Sequence, residues 1–271
     1  MNPFWDIARS VEQDDTMGIR VFDSLDVEEN WPTANWGMEF EQPEWLKDVH
    51  NKYVGERCFL MGTGPSLIEQ LPLLEQMKTE YTFSCNRMKM FQGLPFTPWL
   101  HCISEPGPLM AWGAAVHPTY DYPEAQNRVA CIWFPVKAPG WLWMPKAPDD
   151  LQVRWQGTFG MGDYLPPVPS AWASPLTISQ LALWMGFTEL YLLGNDLSQT
   201  GQAWDKETGT TKFPRNVRST VECADRMNRD IWRNGRKMYD CTPGGRLSVE
   251  GAVEYIDLEE VLEGTKQKTE A

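Results

Sequence analysis

The chain has 271 residues, 42% of them hydrophobic and 12% aromatic, with a formal net charge of -13 at neutral pH. That size is enough to bury a full core, and that composition excludes a disordered chain. No apolar run approaches the roughly 18 residues that span a bilayer, and MNPFWDIARSVEQDD lacks the basic and apolar regions of a secretory signal. A cytoplasmic protein is therefore expected. The six cysteines (58, 85, 102, 131, 223 and 241) are scattered with no C-x-x-C pair, and the three histidines (50, 101 and 117) are dispersed. Reduced, buried thiols are expected, and a His/Cys metal site is not.

Residues 1–48 carry three basic and twelve acidic side chains, a net of -9, which leaves -4 for the rest. Trp5, Trp31, Trp36 and Trp45 stand among them without a helix or strand period. Such a segment is either a solvated extension whose tryptophans pack on the domain, or a partner-binding or lid segment. Regular structure begins with a short buried strand at 57–61, followed by Gly62-Thr63-Gly64-Pro65-Ser66. A helix is then expected from Ser66 to about Met77, with Ser66 as its cap and Glu69 as the capping-box partner. A strand that ends in glycines and opens a helix presents backbone N–H groups to a phosphate or carboxylate. The G-x-G-x-x-G pattern of dinucleotide sites is absent, because Leu67 stands three residues after Gly64. An anion site and a plain tight turn both remain open.

YTFSC (81–85) reads as a second strand, ending at Asn86-Arg87. PWLHCIS (98–104) reads as a third, ended by Glu105-Pro106-Gly107, and RVACIWF (128–134) as a fourth, stopped by Pro135. Residues 139–175 show little periodicity. LTISQLALWMGF (176–187) has the spacing of a buried helix closed by Gly186, and ELYLLG (189–194) is the continuous apolar run of a parallel strand. It stops at Gly194-Asn195-Asp196. Polar groups just past carboxyl ends of strands are where open α/β sheets bind ligands, so 62–66, 86–87 and 194–196 form one candidate site.

A further helix is expected from Ser219, where S-T-V-E is a capping box, to about Asn234. On it Arg226, Arg229, Arg233 and Arg236 share a face, and residues 212–237 hold eight basic and three acidic side chains. That face is either solvated and paired with Glu222, Asp225 and Asp230, or a stripe for the phosphates of a nucleotide or a polyanionic acceptor. KMYDC (237–241) reads as a strand and DLEEVLEG (257–264) as a closing helix. The fold expected is α/β: a Rossmann-like open, mainly parallel sheet flanked by helices over 49–264, with the acidic extension before it and a frayed tail at 265–271.

FLMGTGPSL, FSCNRMKM, TISQLALWMGFTELYLLGNDL and YDCTPGGRLSVEGAVEYIDLEEVL occur in that order between residue 59 and about residue 262. The ordered set resembles the MptE-like family (domain of unknown function 115), which includes archaeal 6-hydroxymethyl-7,8-dihydropterin diphosphokinases and flagellin-glycosylation Maf proteins. It is also similar to the bacterial sialyltransferases of glycosyltransferase family 42. The resemblance implies that Gly62, Thr63, Gly64, Pro65 and Ser66 hold the nucleotide's phosphate and ribose, and that Asn86 contacts the nucleotide. It places Ser174 near the donor, although here the pair is Ser174-Pro175 where those sialyltransferases have Ser-Gly. It puts Asp196 at the end of the last donor-site strand. One departure concerns the base: those sialyltransferases use a histidine well after that strand, and no histidine follows His117 here. Asp196, Asp205 and Glu207 are the carboxylates available in its place. The resemblance thus implies a transferase using a nucleotide-activated sugar. A Mg-ATP diphosphokinase acting on a pterin-like alcohol and a non-catalytic nucleotide-binding module are the alternatives. Overall acidity disfavours a nucleic-acid acceptor, and a homo-oligomer stays open.

Overall fold

A computed structural model describes residues 44–104, 109–110, 114–132, 138–145, 173–197, 203 and 217–269. Its compact unit spans Gln42–Ala271. The last residues of the acidic segment belong to it: α1 (Glu44–Val49) buries Leu46 completely, and the indole of Trp184 donates to the Leu46 carbonyl at 2.7 Å. Trp45 donates to the Trp143 carbonyl at 3.0 Å.

Eight strands make one sheet. In chain order they are β1 (Arg57–Met61), β2 (Tyr81–Cys85), β3 (Leu100–Ile103), β6 (Asn127–Ile132), β7 (Leu142–Pro145), β8 (Glu189–Leu193), β9 (Lys237–Asp240) and β10 (Glu254–Tyr255). Between β3 and β6, β4 (Leu109–Met110) and β5 (Ala115–Val116) form a separate antiparallel pair. The sheet order is β10-β9-β8-β1-β2-β3-β6-β7, and every described pairing in it is parallel. The expected open parallel sheet is what the chain forms. From β1 the chain builds outward through β2, β3, β6 and β7, then returns to the other side of β1 with β8 and builds outward again. The switch in winding direction falls between β1 and β8.

Strands buried on both faces read as continuous apolar runs, and alternate residues of β1 and β8 go to opposite cores. Cys58, Leu60, Leu190 and Leu192 face α4 (Ser174–Met185) and α5 (Val217–Arg233), which contribute Leu181, Trp184, Ala224, Met227 and Ile231. Phe59, Met61, Tyr191 and Leu193 face Leu67, Leu74 and the Leu258, Val261 and Leu262 stripe of α6 (Leu258–Thr269). Gly186 ends α4 in the left-handed region at φ 101°, as a helix-stopping glycine does.

Two expectations about helices are corrected. The segment after Gly64 is not one helix to Met77. It is α2 (Ser66–Glu69), then α3 (Leu71–Leu74) with Pro72 in its first turn, then a 3-10 turn at Glu75–Met77. Proline lacks the N–H that would continue the α2 ladder and fits only a first turn. The capping boxes are absent as well. Pro65, not Ser66, occupies the cap position of α2 and Glu69 is exposed, while S-T-V-E at 219–222 lies inside α5.

Candidate functional site at the switch point

The carboxyl ends of β1, β2, β3, β8 and β9 lie on one rim, as a parallel sheet requires, and open sheets bind ligands there at the switch in strand order. The β1–β8 ladder continues beyond the strands: Gly62 N–H donates to Leu193 O at 2.7 Å and Gly64 N–H to Gly194 O at 2.8 Å. The two loops approach so closely that a Cβ on Gly62 would run into Gly194 O. One on Gly64 would run into the Asp196 carboxylate and lie 2.6 Å from Gly194 O. That carboxylate takes up the start of α2. Ser66 N–H donates to Asp196 Oδ1 at 3.2 Å, and Ser66 Oγ donates to Asp196 Oδ2 at 2.8 Å.

The anion seated on the glycine turn is therefore the protein's own. α2 is one turn long, and its first amide already has an acceptor within the protein. Burial pushes the Asp196 carboxyl above the usual carboxylate range, while the Ser66 hydroxyl and amide pull it back down.

The neighbouring loop is locked in the same manner. Asn195 N–H donates to Thr242 Oγ1 at 3.0 Å, and Arg246 N–H reaches the Asp196 carbonyl at 3.4 Å. Asp240, fully buried at the end of β9, accepts from Thr242 N–H at 3.0 Å and Ser248 N–H at 3.2 Å, and burial raises its pKa against those bonds. The Asn195 side chain is 4% exposed, and its amide nitrogen has no hydrogen-bond partner among the described residues.

On the other side of β1 the rim is built from an amide and hydroxyls. Asn86, first residue after β2, donates from Nδ2 to Ser174 Oγ at 2.8 Å. Its Oδ1 accepts from Ser104 N–H at 3.2 Å, and the Ser104 and Ser174 hydroxyls lie 2.5 Å apart. Asn86 stands at φ 49° and Leu197 at φ 46°, conformations that non-glycine residues rarely adopt and that cluster at functional sites. Arg87 is exposed, with its guanidinium 4.9 Å from the centre of the Tyr120 ring. Thr63 accepts from Ala203 N–H at 2.9 Å, which ties the loop after β8 to the glycine turn.

Gly62, Thr63, Gly64, Pro65, Ser66, Asn86, Ser174, Asn195 and Asp196 thus all stand in loops or at a helix start on this rim. Asp205 and Glu207 lie outside the described residues. Arg226, Arg229 and Arg233 stand on α5. α5 runs back from the rim toward the start of β9, so at 1.5 Å per residue Arg233 stands about 24 Å along the axis from the first residue of α5. Arg229 pairs with Asp225 at 2.6 Å, Arg233 with Asp230 at 3.1 Å, and Arg226 Nε donates to Glu222 O at 3.3 Å, all on the solvent face. Arg229 and Arg233 are thus solvated and paired, whereas Arg236 lies past the end of α5, half-buried, and donates to the Leu183 carbonyl.

Sequence reasoning missed Ser104, Asp240 and Thr242. Ser104 carried the same signal as Asn86, a polar residue ending an apolar strand. Asp240 and Thr242 were legible as an aspartate two residues before a threonine in a Pro-Gly-Gly turn. His101 is also absent from the site chemistry. It is fully buried, with Ser84 Oγ 2.8 Å from Nδ1 and Tyr120 O 2.8 Å from Nε2, so Nε2 carries the hydrogen. Burial lowers its pKa to about 4.

No family model and no curated protein matches this chain. Among solved structures, the MAf glycosyltransferase from Magnetospirillum magneticum AMB-1 is similar at TM-score 0.48 and 16% identity, over 81% of this chain and 37% of that one. The chain thus spans little more than a third of that protein's length, and a likeness this slight fixes neither fold nor activity.

Proposed function

We propose that this chain is a transferase. It holds a nucleotide-activated sugar against the rim loops of β1, β2 and β3 and passes the sugar to an acceptor hydroxyl. The observation that carries the reading is the convergence of Asn86, Ser104 and Ser174, from three separate parts of the chain, beside the switch point. The sequence resemblance to the MptE-like family and to the sialyltransferases supports a nucleotide-activated group as donor. In this reading the Asn86 amide and the two serine hydroxyls hold the nucleotide, with Thr63, Pro65 and Asn195 at the edge of the crevice and Arg87 as the nearby cation. The acceptor O–H gives its proton to a carboxylate of the loop after β8, with Asp205 the proposed base. Its oxygen bonds the anomeric carbon as the bond to the nucleotide's phosphate oxygen breaks. Donors aimed at that leaving oxygen stabilise the charge that develops there.

A thermal-shift screen with CMP, UDP, GDP and Mg-ATP tests the reading. Stabilisation by CMP, UDP or GDP, lost in Ser174→Ala, is expected. Stabilisation by Mg-ATP alone would replace sugar transfer with diphosphoryl transfer, and no stabilisation by any of the four would remove the nucleotide from the site.

A further inference from the structure

The place where a phosphate was expected is filled from within, and that changes what Asp196 does. Both carboxylate oxygens are used on Ser66, one on its amide and one on its hydroxyl, and the group lies directly over Gly64, where any Cβ would strike it. The main chain of the same residue accepts from Arg246 N–H, and the next residue back is held by Thr242. Asp196 is thus a pin joining the turn after β1 to the loops after β8 and β9, across the switch point where the strands diverge. Each oxygen keeps a second lone pair, but one bond apiece to Ser66 fixes the carboxylate on the turn, which is the geometry of a pin.

We propose that Asp196 is a positioning residue. Through Ser66 it holds the Gly62–Ser66 turn in the form that the donor's nucleotide meets, and it does not take the acceptor's proton. The nucleotide half of this rests on the proposed function; the pin itself does not.

Asparagine separates the two roles. In Asp196→Asn, Oδ1 can still accept from the Ser66 amide, and Nδ2 can donate to Ser66 Oγ once that hydroxyl turns its hydrogen away. The pin survives while the charge and the basicity are gone. In Asp196→Ala both bonds are lost.

The test is run on the full chain with two readouts. One is the calorimetric affinity for whichever of CMP, UDP, GDP and Mg-ATP binds the unmodified protein most tightly. The other is amide hydrogen exchange over residues 62–70. Asp196→Ala should lose about tenfold in affinity and lose protection across the turn, and Asp196→Asn should restore both. A folded Asp196→Ala that keeps both overturns the proposal, and so does an asparagine variant that falls with the alanine variant. If the unmodified protein binds none of the four nucleotides, the functional reading fails, and the exchange data alone decide the pin. Should Asp196→Ala not fold, Ser66→Ala, which removes only the hydroxyl bond, takes its place. Partial loss of protection supports the pin, and unchanged protection overturns it.

Discussion

Gly64→Ala is the substitution on which the sequence and the structure disagree most sharply. If the turn is an anion site, as one of the two sequence readings has it, a side chain at 64 blocks a ligand and leaves the core intact. In the structure Gly64 does not stand in the left-handed region, so alanine brings no backbone strain there. An unstrained glycine replaced by alanine usually gains about 0.4–1 kcal/mol through the unfolded chain. Here the new methyl runs into the Asp196 carboxylate and lies 2.6 Å from a backbone oxygen. Moving the carboxylate breaks two hydrogen bonds to a charged group, each worth about 1.5–3 kcal/mol. Set against the gain in the unfolded chain, the net loss is about 3 kcal/mol. For a domain of this size each kcal/mol shifts Tm by about 2–4 °C, so Gly64→Ala should melt about 6–12 °C below the unmodified protein by calorimetry. In an Asp196→Ala background the same substitution should lose most of this effect, since both hydrogen bonds are already gone and only the clash with Gly194 O remains. A Gly64→Ala protein that melts at or above the unmodified one would refute the packing of Asp196 on the turn.

Three further outcomes are expected. His101 is neutral in the fold down to about pH 4, whereas an unfolded histidine protonates near 6.5. Its contribution is therefore undiminished above pH 6.5 and falls as pH drops toward 4, by about 3 kcal/mol in all; His101→Asn should flatten that acid limb in urea unfolding, and an unchanged limb would contradict it. Arg229→Gln and Arg233→Gln break exposed ion pairs, so each should change stability by about 0.5 kcal/mol or less and leave nucleotide affinity as it was; a tenfold loss of affinity would return these arginines to the site. Asn86→Gly and Asn86→Ala remove the same bonds to Ser104 and Ser174, but only glycine relieves φ 49°, so the glycine variant should be the more stable by about 1 kcal/mol; equal melting temperatures would show that the conformation carries no strain.

The strands were legible because burial on both faces leaves an unmistakable record. RCFLM and ELYLL are apolar runs and YTFSC an alternating, β-rich one, all with abrupt polar ends, and those ends placed Asn86, Asn195 and Asp196 on one rim. Where the record is weak the reading failed. β7 sits at the edge of the sheet in a stretch of prolines, glycines and tryptophans, so four residues of strand left no period. The α2–α3 break turned on Pro72, which a window averaged over the apolar spacing passes across. The glycine turn was read correctly as a place of close approach. What approaches it comes from 130 positions further along the chain, and no local pattern names a partner that distant.

The rim is chemically asymmetric about β1, and that asymmetry says where a ligand would be read. On the β8–β9 side, Asp240 directs both oxygens to main-chain amides, and Asp196 directs one to the Ser66 amide and one to the Ser66 hydroxyl. Those bonds serve structure, and breaking them for a ligand would mean unmaking the loops. On the β2–β3 side, Asn86, Ser104 and Ser174 meet through an amide and two hydroxyls whose hydrogens rotate. Hydroxyls both donate and accept, so this group can exchange a bond with one another for a bond to a ligand without displacing any strand. In the proposed function, the locked side would fix the position of the site and the hydroxyl side would discriminate among ligands. Substitutions at Asp196 and Asp240 should therefore act on all candidate nucleotides alike, whereas Ser104→Ala and Ser174→Ala should change the order of preference among CMP, UDP and GDP. A uniform loss of affinity from both groups in the same binding series would show that the two sides do not divide the work.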